Sequence, residues 1–276
     1  MPVLCTGALC NATYVRSANS RVSASVSALK ILKESGSYLK RKAFQNLAVM
    51  ALCAIVFAAL TLSEIPHSFL YIDVGRFEGT RALLLLFSFL IALFFFRRYS
   101  GYKQGYEGES KVSKILSSIL SDEYCLINDV MVSDGHGNVD HVVLGPNGIF
   151  VIETKNYGGK IACYGDEWTR QYTSKKPGRF DRFIHFELGS PSKQVKRNSM
   201  RIRGLIESSE TFKFRRIWVQ GIVVFANQNA DLSVKNPTVP ILKIGELPSF
   251  IATSKSNVRF SAQEIESIGK KILRHT

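Results

Sequence analysis

The stretch D-H-V-V-L-G-P-N-G-I-F-V-I-E-T-K, residues 140–155, decides how this chain is read. Gly145-Pro146-Asn147-Gly148 is a dense turn signal between two apolar runs rich in β-branched and aromatic residues. That pattern predicts a β-hairpin. Reversal around Pro146-Asn147 sets Leu144 opposite Ile149 and Asp140 opposite Glu153. Directly opposed residues on one face bring their Cβ atoms within about 4.5–5.5 Å. Two facing carboxylates repel unless something stands between them, and a divalent cation does this, because hard cations take carboxylate oxygens. Lys155 lies two residues past Glu153 and so shares its face. A turn centred on Asn147-Gly148 would instead set Asp140 opposite Lys155. The three residues cluster under either register.

The plainer reading of Asp…Glu-x-Lys is an exposed sheet face with a surface ion pair. Against it, Ile149-Phe150-Val151-Ile152 is apolar on both faces, as in a central, buried strand. Charges at the end of such a strand need partners or a metal. His141 points to the face opposite Asp140 and is read as structural.

The 276-residue chain carries a formal net charge of +14. Such an excess suggests an anionic partner, nucleic acid or a lipid surface. The five cysteines (Cys5, Cys10, Cys53, Cys125, Cys163) form no C-x-x-C and no metal spacing with His. They read as small buried hydrophobes, and their odd count argues against a disulfide-built secreted domain.

Residues 1–38 are Ser/Ala-rich and basic, with Glu34 the only acid. Residues 1–42 are expected to form a basic, poorly ordered arm or a weak amphipathic helix; a transit peptide has a similar composition. Runs 43–63 and 82–96 contain no charged residue. The first is long enough to cross a bilayer as a helix. The second is short, but snorkelling Arg97 and Arg98 can extend it. Lys40-Arg41-Lys42 and Arg97-Arg98 sit on the outer ends of the pair, so the positive-inside rule places both termini in the cytoplasm. The expectation is a transmembrane hairpin in an inner or plasma membrane; a buried helical hairpin is the soluble alternative.

Residues 99–276 read as one soluble domain. Val112, Ile115, Leu116, Ile119 and Leu120 have helical spacing, with Glu109 in the first turn. Strands are expected at 125–132, 217–225 and 239–244, and a further hairpin at 160–164 and 167–172. Ser190-Pro191 is a helix start, and that helix carries Lys193, Lys196, Arg197, Arg201 and Arg203. Residues 246–253 and 261–273 complete the helices.

This order of helix, strand, strand with Asp, strand with Glu-x-Lys, basic helix and strand resembles the restriction-endonuclease-like PD-(D/E)xK core. The wording is closer still to the nuclease-related domain family, NERD. The matching pieces are Gly108-Glu109, Asp140-His141-Val142-Val143, Gly148 through Asn156, Gly159-Lys160-Ile161, Trp168 and Gln194, over about 105–225. Val139 stands before Asp140 where the motif has Pro. The resemblance implies an α/β fold with a central mixed sheet flanked by helices, preceded by the two transmembrane helices. It implies a Mg²⁺- or Mn²⁺-dependent nuclease acting on DNA more readily than RNA, without strong sequence specificity. Asp140, Glu153 and Glu109 would hold the metal, Lys155 would orient water or neutralise the phosphate, and Gln194 would lie near the metal or backbone. Lys193, Lys196, Arg197 and Arg201 would contact phosphates. The alternative is a catalytically silent nucleic-acid-binding or membrane scaffold on the same fold.

Overall fold

A computed structural model describes residues 30–62, 78–131, 138–171, 185–187, 189–210, 212, 217–256 and 258–275. The arm before residue 30, most of the loop between the apolar runs, and residues 132–137 and 172–184 lie outside the described residues.

The 140–155 hairpin forms as strands β3 (Asn138–Gly145) and β4 (Gly148–Lys155). They are antiparallel, with Leu144 opposite Ile149 and His141 opposite Ile152. The turn is therefore Pro146-Asn147, and the alternative register is ruled out. Gly148 sits at φ +142°, and a Cβ there would meet the Trp218 ring at 2.7 Å. Only glycine fits this position.

Around this hairpin lies a mixed six-stranded sheet. In order it is β1 (Lys30–Lys33), β2 (Cys125–Met131), β3, β4, β8 (Val219–Phe225) and β10 (Ile241–Lys243). β4 pairs in parallel with β8 and antiparallel with β3, so it is central; its first six residues are all buried. A second sheet combines β5 (Gly159–Tyr164), β6 (Glu167–Gln171), β7 (His185–Glu187) and β9 (Ala230–Lys235).

Helices cover both faces of the larger sheet. Val112 and Leu116 of α2 (Glu78–Ile119) pack with Phe150, Ile152, Ile222 and Val224, joined by Leu247 and Ile251 of α4 (Leu247–Thr253). Val195, Ile202 and Ile206 of α3 (Pro191–Glu207) pack on the other face with Ile149, Val151 and Val223, beside Ile265, Ile268 and Ile272 of α5 (Ala262–Arg274). Alternate strand residues serve the two layers, as the period-2 geometry requires.

Three boundaries differ from the expectation. The first helix begins at Ser37, inside the stretch 1–42 expected as the arm, and not at residue 43. Lys30–Lys33, assigned by composition to the arm, is a strand parallel to β2. Its four residues are too few to show a period by themselves, and pairing with β2 supplies the order. The second apolar run and the helix expected through Glu109 and Val112 to Leu120 form one continuous helix, α2, of 42 residues. Gly101, Gly105 and Gly108 weaken helix propensity, but two of them are sites of close approach. A Cβ at Gly108 would lie 2.5 Å from Asn156 Cβ, and one at Gly105 3.0 Å from a Leu39 methyl.

α1 (Ser37–Leu62) and the first half of α2 pack along each other. Two helices in this region, Ser37–Thr61 and the one starting at Ala82, are long and apolar enough to cross a membrane. Their outward faces expose Phe44, Leu52, Ile55, Leu83, Phe87, Phe89 and Phe94. A soluble helical hairpin would bury such a stripe; an exposed apolar surface of this extent marks a membrane or partner contact.

Candidate active site

The site forms where β3 and β4 separate. The ladder ends at His141 opposite Ile152. One step further, the Asp140 carboxylate accepts a hydrogen bond from the Thr154 backbone N–H at 2.7 Å. A side chain thus supplies the acceptor where the neighbouring strand's pairing ends. On the next residues of β4, Glu153 is 2% exposed, and its Oε1 accepts from Lys155 Nζ at 2.6 Å. Lys155 Nζ also faces Gln194 Oε1 at 3.5 Å.

Gln194 is brought there by the start of α3. Ser190 caps the helix, its Oγ accepting from the Lys193 N–H and donating to the Asp166 carbonyl at 2.7 Å. Trp168 Nε1 donates to Ser192 Oγ at 2.9 Å, and Lys196 pairs with Asp166 at 2.5 Å. The β5–β6 turn therefore clamps the first turns of α3 against the site.

Glu109 reaches the same place from α2, beyond the apolar span and inside the domain. Asn156 Nδ2 donates to the Gln104 carbonyl at 2.7 Å, fixing this part of α2 to the end of β4. Burial pushes the Glu109 carboxyl up to about 8, with the charges of Asp129 and Glu153 adding to it. Asp140 is raised well above the usual carboxylate range by burial and then by Glu153 and Glu109. Glu153 is raised by burial, and Lys155 opposes the shift. Burial pulls Lys155 down, but its contact with Glu153 outweighs that and holds it protonated. Burial in a low-dielectric place is the first cause at all three carboxyls, like charges add to it at Glu109 and Asp140, and opposite charge holds Lys155 up.

These residues fit a hard divalent cation. Glu153 Oε2 is buried with no hydrogen-bond partner among the described residues, and an orphaned carboxylate oxygen there needs a proton or a cation. Among the described residues, no three His, Cys, Asp or Glu side chains stand together as a ready-made metal cage, so Glu109, Asp140 and Glu153 do not form the three-carboxylate set that was expected.

Of the expected phosphate contacts, Lys193 and Arg197 are exposed. Arg197 is close enough to lower the Glu153 carboxyl. Lys196 is engaged by Asp166, and Arg201 reaches Asn198 Oδ1 at 3.4 Å. His141 is fully buried on the far face, its Nδ1 2.6 Å from Asn128 Oδ1.

Asp129 was not expected. It sits at φ +52° on β2 and accepts from Ser37 Oγ at 2.9 Å, the Tyr38 N–H at 3.2 Å and Asn138 Nδ2 at 2.7 Å. It caps the start of α1 from a distant strand and adds to the shift at Glu109. The only signal in the sequence was Asn128-Asp129 inside an otherwise apolar strand.

The fold and the cluster define a nuclease-like α/β domain attached to two long apolar helices. Residues 104–226, under half of the chain, match the nuclease-related domain family, NERD. The chain is also similar to an uncharacterized protein of Bacillus anthracis, 38% identical over 80 residues, which are 26% of this chain and 37% of the relative. No solved structure matches.

Proposed function

We propose that the protein is a membrane-anchored, metal-dependent nuclease that hydrolyses phosphodiester bonds, DNA being the preferred substrate, without strong sequence specificity. The observation that carries this reading is the nearness of Asp140 to a buried, half-satisfied Glu153 beside a protonated Lys155. A protein that only binds nucleic acid has no use for buried acids facing each other.

Asp140 and Glu153 would hold the cation, with Glu109 next to them. When bound, a Mg²⁺ or Mn²⁺ ion supplies Lewis acidity that lowers the pKa of water and offsets phosphate charge. Lys155 stands on the same face and can neutralise the scissile phosphate or orient the attacking water. Gln194 faces the Lys155 ammonium and limits its swing. Lys193 and Arg197 lie on the exposed side of α3 and would grip backbone phosphates, which positions a substrate without reading its bases. The exposed apolar faces of α1 and α2 would sit in the bilayer, and the basic clusters at their outer ends favour both termini in the cytoplasm.

The test is nicking of supercoiled plasmid by the full-length protein in detergent, with and without Mg²⁺. Cleavage should require the ion and be lost in Lys155→Ala. Normal cutting by Lys155→Ala would reduce Glu-x-Lys to an ordinary ion pair. Absence of cleavage by the wild type, with nucleic acid still bound, would favour the scaffold reading.

A further inference from the structure

On the face of the sheet opposite α3, a groove of about 740 Å³ runs between α2 and the segment after β8. Lys111, Lys114 and Ser118 line it from the helix, and Asn227, Gln228 and Asn229 from the segment. No acidic residue lines it among the described residues. Lys111 and Lys114 are exposed and lie three residues apart on one helix face. Neither has an ion-pair partner among the described residues.

The far wall is built directly onto the reactive strand. The Ala226 N–H donates to the Lys155 carbonyl at 2.8 Å, and the Gly159 N–H to the Asn229 carbonyl at 3.0 Å. Asn227 Nδ2 donates to the Asn156 carbonyl at 3.3 Å, and Asn227 Oδ1 accepts from the Asn229 N–H at 2.9 Å. The groove therefore opens at the same strand end as Lys155, on the side away from Lys193 and Arg197.

We propose that this groove is a second phosphate-binding arm, and that with α3 it straddles a nucleic-acid duplex laid across the strand end. The inference rests on the nuclease reading for what happens at Lys155, but not for the binding itself. Lysines and side-chain amides are the groups that contact backbone phosphates and sugars. Among the described residues no aromatic side chain lines the groove, and a stacking platform of that kind is what single strands depend on. Arms on opposite faces of a sheet suit two strands of one duplex. Lipid headgroups fit less well. Lys111 lies 13 residues beyond Arg98 on one helix, which at 1.5 Å per residue is about 20 Å from the basic end of the apolar span.

The experiment uses the full chain in zwitterionic nanodiscs and metal-free buffer, so that binding is read without cleavage. Affinity for a short random-sequence duplex is measured over a range of salt, beside the same sequence as a single strand. In Lys111→Gln/Lys114→Gln the slope of log K against log salt should flatten by about two for the duplex, at about 0.9 per phosphate contact. Lys111→Arg/Lys114→Arg should keep the wild-type slope. Two results would overturn the proposal: an unchanged duplex slope in the Gln variant, or an equal loss on single strand and duplex. Failure of the nuclease reading would show separately, as duplex binding intact and no Mg²⁺-dependent nicking.

Discussion

The backbone N–H of Thr154 donates to the Asp140 carboxylate at 2.7 Å, just past the point where their strands stop pairing. This bond holds Asp140 at the mouth of the splayed hairpin, on the face that carries Glu153. Beside it, the buried Glu153 Oε2 has no hydrogen-bond partner among the described residues. If the pair takes a cation, ligand binding stabilises the native state by mass action, about 2.7 kcal/mol at a hundredfold excess over Kd. Mg²⁺ should raise the melting temperature of the wild type and leave that of Asp140→Ala unmoved. An equal rise in both proteins would place the ion elsewhere.

Arg197 and Lys155 should separate in their kinetics. Arg197, exposed on α3, would hold ground state and transition state alike, so Arg197→Ala should raise KM with kcat nearly kept and flatten the salt slope by about one. Lys155→Ala should lose kcat while still binding nucleic acid. A fall in kcat alone for Arg197→Ala would move that residue into the reacting centre.

His141 makes stability depend on acid. Burial lowers its imidazole to about 3, so the folded protein carries it neutral. A depressed folded value means the unfolded chain binds the extra proton between its ordinary 6.5 and about 3. Its contribution is therefore complete above pH 6.5 and is lost as pH falls toward 3. Denaturant midpoints measured from pH 7 to pH 4 should drop less steeply in His141→Gln than in wild type.

Gly108→Ala sets two effects against each other. In a free helix the change stabilises by up to about 1 kcal/mol. Here the new methyl would lie 2.5 Å from Asn156 Cβ and 3.1 Å from its Cγ, and such overpacking costs typically 1–3 kcal/mol. The clash should win, because Asn156 is tied to the Gln104 carbonyl. Thermal unfolding should show a lower midpoint; a higher one would mean that α2 can move away from β4.

Membrane anchoring predicts that reporter fusions at residue 40 and residue 276 both read cytoplasm. Leu90→Arg, on the exposed apolar face, should lower membrane retention, since Arg at a helix centre costs about 2.5–3.5 kcal/mol on insertion scales. Fusions reading opposite sides, or unaltered retention of Leu90→Arg, would count against the hairpin.

Much of the fold was legible in the chain because its cues are local. Gly-Pro-Asn-Gly admits few turns, and that turn sets which side chains share a face, so Asp140, Glu153 and Lys155 could be grouped before any tertiary contact was known. Ser190-Pro191 marked the start of α3 for the same reason, since a capping hydroxyl and a fixed φ act within one turn. The two uncharged runs announced helices with apolar surfaces on every side. The tertiary structure decided what depends on residues far apart. Lys30–Lys33 becomes a strand only beside β2. Asp129 caps α1 across 92 residues. Gly105 and Gly108 of α2 stand where Leu39 and Asn156 leave little room for a Cβ. Glu109 joins the carboxylates, and Lys111 and Lys114 face Asn227–Asn229, only once α2 has packed on the sheet. Such contacts gain their energy from burial after the chain has closed long loops, and no short-range pattern encodes that step.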